Sequence, residues 1–416
     1  MGSCFIKAVP HSLPAQKEGA DRLKLFQDKF SIYKKAGEPL YKTPKSVQEC
    51  IELLKIAPDG IFEVAGNRYS KSYLFSDVNY NTTSEREQVG IFESYCRFLN
   101  AMDVEFKVTI NNKNRNMKAL REKVLFQKKG DGNDRERDCY NQIMEKKIVE
   151  GKQGIEQERY LTVSIIRKNY EEAKAAFASL EAVLQKGFGE LGSSLAALNG
   201  VERLRVLHDF YRMGEEEYFS FDFEEAVRAG RDYKDDICNS MLKFYPTYMQ
   251  DEKRFAKALF IKKYPSSLSD RFLTELATVP AHTIISIDVA PIPKDVTTST
   301  LQKKYMGIES DIIRQQRVRN KNNDFSSDIS YNKRTEKQQI EEIMDDVREN
   351  DQRLFYVAVT IIIKADTKEE LEAIEETLVT IGKRNSCQIE AHYLKQREAL
   401  NTALPIGVRQ VETMRT

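Results

Sequence analysis

The sequence predicts an α+β protein of mixed α/β character, and three observations carry that prediction. Short segments alternate apolar and polar residues, the period of a half-buried strand, in both halves of the chain. Between them lie longer stretches with apolar residues at helical spacing. The order of these elements in the first half then recurs in the second. At 416 residues the chain is long enough for two or three domains and can bury a core without disulfides.

Residues 1–57 carry four of the eleven prolines and no sustained period, although 21–35 could form a short amphipathic helix, and they are read as an extended N-terminal arm. From Gly60 to Tyr80 the chain alternates around Ala65-Gly66-Asn67-Arg68, which predicts a β-hairpin. Ser84 with Glu87 three residues on forms a capping box, and Val89, Phe92, Tyr95, Cys96 and Leu99 continue at helical spacing. Val104 to Ile110 alternates strictly and is a strand. A polar, highly charged excursion covers about 111–158, divided into two helices by Gly130-Asp131-Gly132-Asn133. Arg159 to Ile166 returns to strand pattern, and Tyr170 to Gln185 is a helix with Ala173, Phe177, Leu180 and Leu184 on one face.

The second half reads alike. Met241–Tyr248 and Phe255–Tyr264, joined through Asp251-Glu252-Lys253, predict a hairpin. Ser269–Ala277 is a helix and Thr283–Val289 a strand. A second charged excursion spans about 298–349, broken near 320–323. Leu354–Ile363 is a strand, Thr367–Ile381 a helix and Gln388–Leu394 the last strand. The excursions close alike, on Asn141-Gln-Ile-Met-Glu and Glu341-Glu-Ile-Met-Asp. The arrangement expected is two tandem ferredoxin-like β-α-β units, duplicated, with helices on one face of each sheet and a long charged excursion in each. The expected domains are 58–235 and 236–416.

Composition narrows function. Lys and Arg number 65 against 64 Asp and Glu, a formal charge of +1, so binding by global basicity is excluded while local patches are not. The six cysteines include no CxxC and none sits near a His at metal-ligand spacing, which suits a reducing compartment. The longest apolar run, Phe355–Ile363, is about half what a membrane-spanning helix requires, so membrane contact is expected to be peripheral. Met1-Gly2 is read as an ordinary start, because Ile6 occupies the position where a myristoylation motif wants Ser or Thr.

Chemical motifs are few. Gly187-Phe-Gly-Glu-Leu-Gly192 matches the dinucleotide fingerprint formally, yet a helix precedes it where a strand is required, so it is read as a helix end and turn. No GxxxxGK[ST], GxSxG or HExxH occurs. His208-Asp209 is read as helical packing and Glu215-Glu216-Glu217 as a solvated turn. Catalytic, cofactor and metal residues are therefore none. Two basic stretches remain: Lys113, Arg115, Lys118, Arg121, Lys123, Lys128 and Lys129 on the first excursion, and Arg314, Arg317, Arg319 and Lys321 on the second. The candidate interaction surface is Arg314, Arg317, Arg319, Lys321, Lys118 and Arg121, suited to lipid headgroups, an acidic partner or nucleic acid phosphates. A nucleic-acid-binding module, requiring a continuous basic stripe across both excursions, and an enzyme of unrecognised type stay open as alternatives.

Several blocks are similar to a known family. They are Pro44-Lys-Ser-Val-Gln-Glu49, Pro58-Asp-Gly-Ile61, Leu198-Asn-Gly-Val-Glu-Arg-Leu204 with His208-Asp209, and Gly230-Arg-Asp-Tyr-Lys-Asp235 with Ile237-Cys238. Ser269-Asp-Arg-Phe-Leu273, Ser286-Ile-Asp-Val289, Gly307-Ile-Glu-Ser310, Asp351-Gln-Arg353 and Leu400-Asn-Thr-Ala-Leu-Pro-Ile-Gly407 continue it. In that order they resemble the N-terminal part of the large conjugative transfer and type IV secretion ATPase, in the version found on mobile elements of Gram-positive bacteria. The last block is the most specific; in the family it leads into a RecA-like motor domain that holds ATP and magnesium. The resemblance implies an accessory domain without that motor, with no cofactor of its own. It further implies docking to membrane components of the conjugation channel at the cytoplasmic face, pairing with the cognate ATPase domain, and homo-oligomers of the full-length protein.

Overall fold

The computed structural model describes residues 44, 46–64, 66–78, 80, 83–114, 124–150, 155–265, 267–269, 271–321, 331–349 and 352–411. Its first half starts with β1 (Lys55–Ile56), β2 (Phe62–Val64) and β3 (Arg68–Phe75). Helix α1 (Glu85–Ala101) and strand β4 (Glu105–Asn114) follow, then α2 (Asp134–Glu150) in the first excursion. Strand β5 (Ile155–Ile166), helix α3 (Tyr170–Glu190) and strand β6 (Leu195–Ala197) complete the sheet portion. Three helices then cross to the next portion: α4 (Gly200–Tyr211), α5 (Phe223–Ala229) and α6 (Tyr233–Ile237).

The second half has β7 (Leu242–Phe244), β8 (Met249–Asp251), β9 (Phe255–Lys263), α7 (Arg271–Ala277) and β10 (His282–Pro291). The second excursion is α8 (Lys294–Lys321) and α9 (Tyr331–Glu349). Strand β11 (Phe355–Ala365), helix α10 (Lys368–Arg384), strand β12 (Gln388–Ala391) and helix α11 (Gln396–Ala403) end the chain of elements. The protein is thus mixed α+β, with eleven α-helices and twelve strands among the described residues.

All twelve strands belong to one antiparallel sheet, in the order β1-β2-β3-β5-β4-β10-β11-β9-β8-β7, with β6 also on β3 and β12 also on β9. The halves join where β4 pairs with β10, from Asn112 opposite Thr283 to Phe106 opposite Val289, with Thr109 facing Ser286 at the centre. Within the first half the spatial order is β6-β3-β5-β4, and within the second β12-β9-β11-β10. Short strands fill the same places in both: β2 beside the start of β3, and β8 beside the start of β9. Two separate sheets were expected from the sequence. The edge strands β4 and β10 pair instead, which satisfies backbone groups that would otherwise stand open.

Local signals account for much of this. The Ser84 and Glu87 capping box starts α1, and Gly66 and Asn67 turn the β2–β3 hairpin with φ of 71° and 57°. In the second half the hairpin partner of β9 is β8 rather than Met241–Tyr248, because Tyr245–Tyr248 is itself the turn between β7 and β8. The glycine-rich match at 187–192 ends α3, with Gly192 at φ 74° just beyond it.

One face of the sheet carries the expected helices. Phe98 and Met102, at the end of α1, and Phe177, Leu184 and Phe188 of α3 pack on Tyr69, Tyr73, Leu161 and Val163. Phe272 of α7 and Leu371 and Leu378 of α10 pack on Leu259, Ile285, Val359 and Ile361. The opposite face is also covered, by α4, α11 and the chain after α11, around Leu204, Leu207, Ile284, Ile362, Leu400, Leu404 and Ile406. That second layer explains why β11 is a nearly continuous apolar run: both faces of its central residues are buried. Residues 46–57, expected within an extended arm, belong to this core. Val47, Ile51 and Leu53 are buried there, and Asn401 donates from Nδ2 to the Cys50 carbonyl at 2.8 Å. The remainder of the expected arm, 1–43, lies outside the described residues. The expected boundary at 235/236 falls inside α6.

Candidate functional site

The sheet face under α11 is lined by small polar residues where a core would normally be apolar. Ser70 and Ser72 on β3, Thr162 and Ser164 on β5, and Lys107 and Thr109 on β4 are all buried. Alternation along each strand puts them on the face away from α1 and α3. Several of them bind carbonyls of the segment after α11, whereas Thr109 Oγ1 has no hydrogen-bond partner among the described residues. Ser70 Oγ donates to the Ile406 carbonyl at 2.7 Å, Ser164 Oγ to Gly407 at 3.1 Å, and Ser72 Oγ to Pro405 at 3.2 Å. Arg203, buried on α4, donates to the Pro405 carbonyl at 2.9 Å and to the carbonyls of Gly60 and Ser70 at 2.9 and 2.8 Å. Its guanidinium carbon lies 3.8 Å from the centre of the Phe62 ring. Residues 404–411 therefore form a strap that leaves the second half and is bound to the first by side chains rather than by strand pairing.

Lys107 is the strap's charged anchor. Its ammonium donates to the carbonyls of Thr402 and, at 3.1 Å, Val408, and lies 3.5 Å from Asp288 Oδ1 on β10. Burial pushes the Lys107 pKa down, and the Asp288 carboxylate opposes that shift. Arg409 Nε stands 3.8 Å from the same Asp288 oxygen, and Arg68 pairs with Glu105 at 2.9 Å at the rim. Gly407 is required at the closest approach. Its φ is 82°, and a Cβ there would lie 2.5 Å from Ser70 Cβ and Ser164 Oγ.

A shallow cleft opens beyond α4, lined by Asn112, Lys113, Asp209, Met213, His282 and Lys364 among others. Its charges are already paired. Lys113 Nζ lies 2.9 Å from both Asp209 Oδ2 and Glu158 Oε2, and Lys364 Nζ lies 2.8 Å from Asp251 Oδ2. Burial alone would lower the Lys113 pKa, but Asp209 and Glu158 outweigh it and raise it. Burial lowers that of His282 to about 4, leaving a neutral ring. Lys113, counted from the sequence with the basic excursion, is therefore a strand residue in an ion pair. His208 packs on Phe219 as its helical spacing implied, whereas Asp209 binds Lys113. Glu216 is buried and accepts from the Gly214 amide at 2.7 Å, so that turn is not wholly solvated. Among the described residues no group of three or more His, Cys, Asp or Glu is arranged to hold a metal ion.

The second excursion is a helical hairpin. Helix α8 is 28 residues, about 40 Å long at 1.5 Å per residue. It packs antiparallel to α9 through Leu301, Ile308 and Ile340, with Lys337–Glu309 at 3.0 Å and Lys333–Asp311 at 3.2 Å. Arg314 and Arg317 are exposed near its tip. Arg319 and Lys321 occupy the last turn of α8, with side chains outside the described residues, and Lys118 and Arg121 lie outside them altogether. Because β4 and β10 are antiparallel, the two excursions leave from opposite ends of the joint, roughly 30 Å apart at 3.3 Å per residue. Their roots are not contiguous.

No protein-family model matches the chain, and no curated protein matches it. Among the described residues, no helix is long and apolar enough to cross a membrane.

Proposed function

We propose that the chain is a non-catalytic N-terminal domain of a conjugative transfer, type IV secretion ATPase of the kind its sequence blocks resemble. In this reading it assembles with further copies and docks on membrane components of a DNA-transfer channel at the cytoplasmic face, while a RecA-like motor with its ATP and magnesium supplies the work. Each half is then a ferredoxin-like unit. The spatial orders β6-β3-β5-β4 and β12-β9-β11-β10, each with a strand-helix-strand pair on either side of an excursion, support that assignment.

The observation that carries the reading is the strap. Leu400 to Gly407, the block with the most specific resemblance, is buried along its whole length and ties the second half to the first. A segment that leads toward a motor would in this way pull on both halves together. The protruding α8–α9 hairpin, with Arg314 and Arg317 exposed, supplies a surface for an anionic membrane or an acidic partner. The separated roots count against the continuous basic stripe that a nucleic-acid-binding module would need.

The test joins the family's motor segment after residue 416 and records ATP turnover and assembly state, by light scattering, for the chain alone and for the fusion. Turnover confined to the fusion, with assembly that depends on residues 1–416, is the expected result. Turnover by the isolated chain above a purification blank would sink the non-catalytic reading.

A further inference from the structure

Three lysines on the sheet reach an aspartate, and the pairs are not equally complete. Lys113 Nζ sits between Asp209 and Glu158, 2.9 Å from each. Lys364 Nζ stands 2.8 Å from Asp251 Oδ2, and Asp251 Oδ1 accepts from the amides of Arg254 at 2.8 Å and Lys253 at 3.1 Å. Both oxygens of that carboxylate are occupied.

The third pair differs. Lys107 and Asp288 lie directly opposite each other across the β4–β10 joint, and both are buried. Yet Nζ and Oδ1 are 3.5 Å apart, longer than a strong ionic hydrogen bond. Asp288 Oδ2 has no hydrogen-bond partner among the described residues. A carboxylate so poorly satisfied away from water is costly to keep charged.

The surroundings are those a condensation needs. Glu105 precedes Lys107 by two residues, on the same face of β4, and lines one small cleft with Lys107, Asp288 and Arg409. Its Oε2 accepts from Arg68, while Oε1 is buried without a hydrogen-bond partner. Arg409 Nε, 3.8 Å from Asp288 Oδ1, likewise makes no hydrogen bond. An amine, a carboxyl group, a second carboxylate and a guanidinium N–H thus share one space beside the strap.

We infer that Lys107 and Asp288 condense to an intramolecular amide that joins the two halves of the sheet covalently, with Glu105 carrying the proton. Within the pair, the ammonium first passes a proton to Asp288, leaving an amine and a carboxylic acid. Burial, which already pushes the Lys107 pKa down, favours that neutral form. The Nζ lone pair then bonds to the Asp288 carboxyl carbon, and the carbonyl electron pair moves onto oxygen, where the Arg409 N–H stabilises the charge. Glu105 takes the second proton from nitrogen and returns it to the departing hydroxyl. The C–O bond breaks, water leaves through the cleft, and Glu105 ends as a carboxylate. The amide keeps one N–H for the Thr402 carbonyl, and a buried ion pair gives way to a neutral group. The inference is independent of the motor-domain reading above.

Intact mass spectrometry of the full chain, denatured after folding, tests it. The expected mass is one water below that of the sequence, and trypsin is expected to yield a branched peptide joining Lys107 to Asp288. Lys107→Arg and Asp288→Ala are each expected to restore the full mass. Glu105→Gln is expected to slow the loss of water at least about tenfold, followed at intervals after cell-free synthesis. The parent chain alone decides the question, so a variant that fails to fold leaves the test intact. A parent chain of full mass overturns the inference. Water lost instead at Asp59-Gly60 or Asp131-Gly132, where an aspartate before glycine can close on its own backbone as a succinimide, also overturns it, and the tryptic peptides separate the two cases. Equal rates in Glu105→Gln and the parent overturn the role given to Glu105.

Discussion

His392 shows how a single residue is committed by its surroundings. It is buried, stacks on Phe260 with ring centres 4.4 Å apart, and has a pKa pushed from 6.5 to about 4, first by burial and then by Lys395. The unfolded ring binds a proton that the folded ring refuses. Its stabilising contribution is therefore complete above pH 6.5 and is lost as pH falls toward 4. The shift corresponds to roughly 3 kcal/mol lost across that window. Urea unfolding at pH 7 and pH 4.5 is expected to show this loss, and His392→Phe to remove its share of the slope. An equal slope in the variant would refute the assignment. At this scale the sequence was only partly legible. A lone histidine shows no environment, and the pairing of Asp209 with Lys113 across 96 residues left no local trace.

Elements with local signals were read closely, and elements defined by distant partners were not. The capping box at Ser84, the alternation of β4 and the apolar face of α3 each specify their own structure within a dozen residues. The strap has no period. Its hydrogen bonds reach Ser70 and Lys107 across more than 290 residues, and its meaning appears only when the sheet is assembled. Strand β6 and helices α5 and α6 were passed over for a related reason, being short pieces whose burial is tertiary, and of α4 only the stretch around His208-Asp209 was read as helical. The α8–α9 hairpin is nearly self-contained. Ile292 donates to the Leu354 carbonyl at 2.9 Å, so its ends already meet at the β10–β11 ladder. Replacing 298–349 with a short Gly-Ser turn is expected to leave the melting temperature within a few degrees while abolishing binding to anionic vesicles or channel partner. A chain that unfolds on excision would show the hairpin to be part of the core, and unchanged binding would move the docking surface elsewhere.

Across the whole molecule, the halves are held by the β4–β10 ladder, the Lys107–Asp288 pair and the strap. These contacts predict that the chain unfolds in one cooperative transition. Gly407→Val forces a β-branched side chain onto φ 82° and into Ser70 and Ser164, at a cost of roughly 2–4 kcal/mol. With the strap displaced, calorimetry is expected to show two transitions in place of one. A single transition, merely lowered, would mean that the ladder alone couples the halves.

The correspondence between halves has a consequence for orientation. A sheet whose two halves run in the same strand order offers a similar outline after a half-turn about the axis between Thr109 and Ser286. A partner gripping that outline alone would find two equivalent ways to sit. The additions are not repeated: residues 219–229 cap one end, and the strap crosses one side only. They act as a key on an otherwise reversible plug, so a partner that touches either one can seat in a single direction.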